Sequence, residues 1–143
     1  MKKICFLCMF LFLSCGIRKE CNSKIQVSEV VLYEASKSGI DYCYIVNQCL
    51  EGDVELIKKM FLSSPEYLDG ESVYLHFYYV YEIAIYLGED KIISIAQNFS
   101  QQDLKLLYIS LDTGIATFDS SKSVRCEFPK LFKVLWNSEA PKW

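Results

Sequence analysis

Apolar residues recur every three or four positions through most of the chain, which is the spacing of one face of an α-helix. The first clear run begins at Tyr42, and similar runs follow as far as Trp136. The pattern therefore predicts helices over 42–50, over 54–61, from Ser72 to Leu87, from Asp90 to Phe99, over 100–111 and from Pro129 onward.

Capping residues and breakers separate these predicted helices. Asp53 is placed as an N-cap, and Ser100 with Asp103 resembles a capping box. Gly88 is placed to end the long helix in the C′ position. The segment Asp112-Thr113-Gly114 is predicted to end the helix that starts near Ser100.

Two segments have less regular patterns. Residues 24–35 carry apolar side chains at helical spacing, but Ile25, Val27, Val31 and Tyr33 also fit the alternation of a strand. We favour a helix there. Residues 115–128 show no sustained period, so they are predicted to be loop with a short extended piece.

The predicted elements place the chain in the all-α class, with about five to seven helices. Aligning Gly52 with Gly88 pairs Asp53 with Glu89 and Leu56 with Ile92, at an offset of 36 residues. The layout is weakly similar to the helix hairpins of ankyrin- and HEAT-like repeats. We therefore expect a small bundle or a short solenoid of antiparallel helix hairpins.

The N-terminus has the features of an export signal. Lys2 and Lys3 precede an apolar run of ten residues, Ile4 to Leu13, which is too short to span a bilayer. The run ends at Ser14-Cys15-Gly16, and this segment resembles the lipobox of bacterial lipoproteins. The resemblance implies cleavage after Ser14 and lipid attachment at Cys15.

This reading divides the chain into a cleaved signal peptide (1–14), a lipidated N-terminus and tether (15–24) and a single helical domain (25–143). The alternatives are an ordinary secretory signal and a buried N-terminal helix. By the same resemblance, Cys15 would carry diacylglycerol on its sulfur and an acyl group on its new amino group. These three acyl chains would anchor the protein stably in a membrane. Some Gram-negative lipoproteins carry, directly after the cysteine, an aspartate that retains them in the inner membrane. Here that position is Gly16, which favours the outer membrane, on its periplasmic or surface face.

Charge argues against nucleic acid as a partner. The mature chain has 13 lysines and arginines against 18 aspartates and glutamates, a net charge of −5. Residues 41–90 hold ten of these acids and only two bases. Such a cluster could attract a cationic partner, and the alternative is that the acids form a solvated face.

Four cysteines remain after Cys15 takes the lipid: Cys21, Cys43, Cys49 and Cys126. In an oxidising compartment they could form two disulfides. Cys43 and Cys49 would lie about 9 Å apart along one helix, so pairing either with Cys21 or Cys126 is favoured. Cys49 also fits an apolar stripe, where a buried free thiol is the alternative.

The helix from Ser72 to Leu87 is apolar or aromatic nearly all round, which is typical of a central helix. Tyr74, Tyr78 and Tyr81 lie on adjoining positions of this helix. Tyrosine combines an apolar ring with a polar hydroxyl, so these three are candidates for a partner surface. The alternative is that they belong to the core.

Catalytic and metal-binding patterns are scarce. His76 is the only histidine, so a multi-histidine metal site is excluded and His76 itself is expected to be structural. The chain has neither a nucleophile elbow nor a phosphate-binding glycine loop. We expect no enzyme activity, no metal and no cofactor.

The predicted function is a non-catalytic, membrane-tethered module of the cell envelope that binds a protein partner. An inhibitor or immunity protein against a toxin or wall hydrolase fits best. The acids beside the Gly-containing turns are expected to line a shared binding rim: Glu51, Asp53, Glu89 and Asp90. The alternatives are a structural component of an envelope complex and, third, a small-ligand carrier.

Overall fold

The computed structural model describes residues 21–136, and that range folds into α-helices joined by short loops. The all-α prediction is confirmed. Eight helices occur within the described range, one more than the largest number predicted. They are α1 (Glu29–Lys37), α2 (Tyr42–Glu51), α3 (Val54–Leu62), α4 (Gly70–Leu87), α5 (Glu89–Ala96), α6 (Gln101–Phe118), α7 (Val124–Glu127) and α8 (Pro129–Trp136).

Helix α4 is the centre of the bundle, because its nearly continuous apolar surface needs neighbours on several sides. It packs against α1, α2, α3, α5 and α6, and α6 is its most extensive neighbour. Helix α8 covers α5 and also contacts α6 and α7. None of the helices between residues 21 and 136 has the length and apolar character needed to cross a membrane.

The predicted repeat corresponds to the hairpins α2–α3 and α4–α5. Both hairpins are present, but α4 packs mainly on α6, which lies outside the repeat. The architecture is therefore a small bundle around α4. The similarity to ankyrin- and HEAT-like units stays a prediction.

Several helix starts are stabilised by the predicted capping residues. The Asp53 carboxylate accepts a hydrogen bond from the Leu56 backbone N–H at 3.0 Å. Ser100 and Asp103 form the reciprocal bonds of a capping box, at 3.2 Å and 3.1 Å. These bonds satisfy N–H groups that have no partner within the first helical turn.

The start of α1 corrects the prediction for residues 24–35. The helix begins only at Glu29, where the Ser28 hydroxyl accepts from the Val30 N–H at 3.3 Å. Before Ser28 the chain buries Ile25 and Val27 and exposes Gln26 between them. That alternation is the one an extended chain produces.

The end of α6 corrects a second prediction. The helix continues past Asp112-Thr113-Gly114 to Phe118, and residues 124–127 form α7 instead of loop. Gly114 lies inside α6 against α4, where an added Cβ would stand 2.1 Å from the Phe77 carbonyl oxygen. Glycine is therefore required here for close helix packing and does not end the helix.

Candidate functional site

The cysteines separate into one disulfide and two free thiols among the described residues. Cys21 bonds to Cys43 of α2, with a Cα–Cα distance of 5.4 Å. Cys49 is buried against the Met60 sulfur at 3.8 Å, and burial raises the pKa of its thiol to about 12. Cys126 is exposed. The bridge is one of the favoured pairings, and residues 21–136 contain no second disulfide. Cys15 lies outside the described residues.

The four acids of the predicted rim lie at neighbouring turns. An added Cβ at Gly52, between Glu51 and Asp53, would lie 3.9 Å from Cε of Lys91, which directly follows Glu89 and Asp90. The structure therefore brings the α2–α3 turn close to the start of α5.

Helix α8 occupies half of this predicted rim. The Glu89 carboxylate accepts from the backbone N–H groups of Lys130 and Leu131, at 2.5 Å and 2.8 Å. Asp90 forms an ion pair with the Lys130 ammonium at 2.9 Å. Asp53 caps α3, and Glu51 accepts from the Gln48 amide at 2.9 Å. These contacts give the four acids structural roles within the fold.

The three candidate tyrosines lie in different environments. Tyr74 is 59% exposed, whereas Tyr81 is only 5% exposed. The Tyr81 hydroxyl donates to the Glu127 carboxylate at 2.8 Å, and burial together with that contact raises its pKa to about 12. Tyr81 is therefore a core residue in the folded chain and cannot belong to a partner surface.

Aromatic and apolar side chains that are wholly or partly exposed lie along one side of α4. Tyr74, Tyr78 and Ile85 share this side because they are spaced at i, i+4 and i+11, and the buried Tyr81 lies between Tyr78 and Ile85 on the same side. The Tyr78 ring stacks on Phe118 of α6, with ring centroids 5.6 Å apart and planes 24° apart. Phe118 is 62% exposed and Ile85 is 48% exposed. We call Tyr74, Tyr78, Ile85 and Phe118 the aromatic stripe.

Carboxylates border the aromatic stripe. Glu71 precedes Tyr74 by one helical turn and is exposed. Glu82 follows Tyr78 by one turn, and burial together with this carboxylate raises the pKa of the Tyr78 hydroxyl. The stripe thus combines exposed aromatic rings with negative charge, which suits a lysine or arginine side chain through cation–π and ionic contacts.

Phe118 and Ile85 were not among the candidate residues predicted from sequence. Phe118 was missed because α6 was expected to stop at Gly114. The available signal was the spacing of Leu111, Ile115 and Phe118, which continues the helical period beyond the glycine.

His76 is buried and both of its ring nitrogens have partners. Nε2 lies 3.1 Å from the Met60 carbonyl oxygen, which can only accept, so Nε2 carries the proton. Nδ1 therefore accepts from the Tyr42 hydroxyl, at 2.8 Å. Burial lowers the pKa of His76 to about 4. The arrangement is that of a structural histidine linking α2, α3 and α4.

A surface depression lies beside the disulfide. It has a volume of about 590 Å³ and is open to solvent. Its walls come from the Asn22 segment, α1 and α2, including Leu32, Ile40, Cys43 and Tyr44. Between residues 21 and 136, no three His, Cys, Asp or Glu side chains converge as a metal site.

In comparisons with known proteins, no protein-family model, no curated protein and no solved structure matches this chain.

Proposed function

We propose that the chain is a lipid-anchored envelope protein whose helical domain binds a cationic polypeptide. The lipobox-like Leu13-Ser14-Cys15-Gly16 supports the anchor, with the outer membrane favoured. An inhibitor or immunity protein that neutralises a cationic toxin or wall hydrolase fits this combination best. In this proposal the domain inhibits its partner by binding to it and catalyses no reaction.

The aromatic stripe is the observation that carries this proposal. Large aromatic side chains are costly to leave in water, and contiguous exposed ones mark interaction sites. Tyr74 and Phe118 are each more than half exposed. Tyrosine and phenylalanine supply contact area at small cost in conformational entropy.

Charge supports a cationic occupant. Glu71 and Glu82 border the stripe, while the nearby Lys122 is paired with Glu127 at 3.2 Å. At the predicted rim, by contrast, two lysines, Lys91 and Lys130, lie among the four acids. Glu71 and Glu82 therefore offer a basic partner ionic contacts beside the aromatic rings.

Site-specific photo-cross-linking in the producing cell tests the proposal. A photoreactive residue at Tyr74 or Phe118 should give a cross-linked product of defined mass. The same residue at Tyr33 or Tyr44 is the matched control, since these tyrosines are 64% and 57% exposed but lie on α1 and α2. Products confined to the stripe positions support the proposal.

Charge reversal separates the two acidic surfaces. Glu82→Lys should reduce the cross-linked product at least fivefold, whereas Glu51→Lys at the predicted rim should leave it within twofold. Absence of any product above the control positions would overturn stripe binding. A product containing several envelope subunits in unstressed cells would indicate an assembly role in place of an inhibitor.

A further inference from the structure

One side of α4 carries a carboxylate between two tyrosines. Tyr78, Glu82 and Tyr86 follow one another at intervals of four residues, so each side chain lies one helical turn from the next. Burial raises the pKa of the Tyr78 hydroxyl, and the charge and hydrogen bonding of the nearby Glu82 carboxylate raise it further. Glu82 therefore offers a cation a carboxylate directly beside an aromatic ring.

The two tyrosines differ in what lies against their rings. The Lys24 ammonium lies 4.8 Å from the centroid of the Tyr86 ring and donates to the Tyr86 hydroxyl. The Tyr78 ring stacks on Phe118 instead. Within residues 21–136, no ammonium or guanidinium group lies over this pair of rings. The Tyr86 end of the row thus already holds a lysine of the same chain, and the Tyr78–Phe118 end is open to a partner.

The shape of the Tyr78–Phe118 pair favours a planar cation. The two ring planes are 24° apart and their centroids are 5.6 Å apart, so the rings form a nearly parallel stack. Phe118 is largely exposed, which gives a partner side chain access to its ring. A guanidinium group is planar and weakly hydrated, so it can extend such a stack while its in-plane N–H groups bond to a carboxylate. An ammonium group is compact and strongly hydrated, and it cannot stack.

We propose that the aromatic stripe recognises an arginine side chain of its partner, with the guanidinium group against the Tyr78–Phe118 pair and its N–H groups on the Glu82 carboxylate. The proposal rests on stripe binding as proposed above, and it deepens that function by naming the side chain that the partner inserts. Glu82 and Phe118 are then the residues that discriminate arginine from lysine.

Binding of three matched peptides to the full-length protein in a non-ionic detergent tests this discrimination. The probes are dye-labelled Gly/Ser peptides of equal length that carry arginines, lysines or citrullines at the same positions. Citrulline keeps the planar shape of arginine without its charge. Fluorescence anisotropy at about 0.15 M salt gives the Kd of each peptide. The arginine peptide should bind about fivefold more tightly than the lysine peptide, and the citrulline peptide should bind more weakly than either.

Two substitutions assign the preference to the stripe. Glu82→Gln keeps the shape of the side chain and removes its charge, and Phe118→Leu keeps an apolar side chain and removes the ring. Each should lower the ratio of the lysine and arginine Kd values at least twofold. The matched controls, Glu51→Gln on α2 and Tyr33→Leu on α1, remove an exposed carboxylate and an exposed ring elsewhere and should leave the ratio unchanged.

The results separate arginine recognition from the proposed function. Equal Kd values for the arginine and lysine peptides, both raised by Glu82→Gln, would overturn arginine recognition and leave stripe binding in place. A preference for arginine that persists in both stripe variants would also overturn it, because the cause would lie elsewhere. If neither cationic peptide bound, or if the citrulline peptide bound as tightly as the arginine peptide, the cationic partner and with it the proposed function would be contradicted.

Discussion

At the residue scale, Gly114 marks a close approach of α6 to α4. On helix propensity alone, Gly114→Ala would stabilise α6 by about 1 kcal/mol. An added Cβ would instead stand 2.1 Å from the Phe77 carbonyl oxygen and 3.0 Å from the Tyr81 Cβ, so the helices must separate. We predict a loss of about 2–3 kcal/mol in unfolding free energy, measured by urea denaturation.

The control for Gly114→Ala is Ala116→Gly on the exposed side of the same helix. It should lower the free energy of unfolding by only about 1 kcal/mol, because glycine has a lower helix propensity than alanine. If Gly114→Ala proved as stable as the parent or more so, the close packing of α4 on α6 would be wrong.

His76 predicts how stability depends on pH. Its pKa is about 4 in the folded chain and 6.5 in the unfolded chain, so the unfolded state binds the proton more tightly. The stability from neutral, buried His76 is complete above pH 6.5 and is lost as pH falls toward 4. We expect a loss of about 3 kcal/mol over that window in urea titrations.

The control for this pH dependence is His76→Gln, which can accept from Tyr42 and donate to Met60 but does not titrate. Its stability should be nearly constant between pH 6.5 and 4.5. Lowered pKa values at Glu34, Asp103 and Asp119 add losses only at more acidic pH, and these affect both proteins equally. Parallel pH profiles for parent and variant would contradict the assignment.

At the scale of elements, Glu89 connects α5 to α8. Its carboxylate accepts from two N–H groups at the start of α8 that no residue within α8 can satisfy. Glu89→Ala should lower the free energy of unfolding by about 1–2 kcal/mol. Amide hydrogen exchange should become faster in α8 than in the other helices, because the start of α8 loses its cap.

Asp90→Ala is the comparison for Glu89. It removes an exposed ion pair with Lys130 and should change stability by less than about 0.5 kcal/mol. Equal effects of the two substitutions on α8 exchange would show that Glu89 does not act as the cap.

Helix starts were more predictable from sequence than helix ends. Asp53 and the Ser100–Asp103 pair were identifiable because their side chains bond to nearby backbone atoms, so the relevant chemistry is local. The role of Gly114 was not identifiable from sequence. A glycine is needed there because a carbonyl group of another helix, α4, lies where a Cβ would be. The same limit hid α7, whose single turn has no period to recognise.

The candidate site was predictable only in part, for a similar reason. The tyrosines of α4 were recognisable as a group, but their exposure depends on the neighbours of α4. Tyr81 is covered by Phe128 and bonded to Glu127, both distant in sequence. Glu89 and Asp90 were read as free charges because their partner Lys130 lies 40 residues or more away.

At the scale of the whole molecule, the proposed lipid anchor at Cys15 precedes a helical bundle that exposes Tyr74 of α4 and Phe118 of α6. The Cys21–Cys43 disulfide ties the first described residue to α2. The proposed function depends on Cys15 being the point of lipid attachment.

Mass spectrometry of the mature protein's N-terminus tests that dependence most directly. We predict a chain beginning at Cys15 that carries a diacylglyceryl thioether and an N-acyl group, and Cys15→Ala should abolish both the lipid and membrane retention. An unmodified N-terminus, whether at a neighbouring residue or at Met1, would contradict the lipid anchor and with it the proposed function.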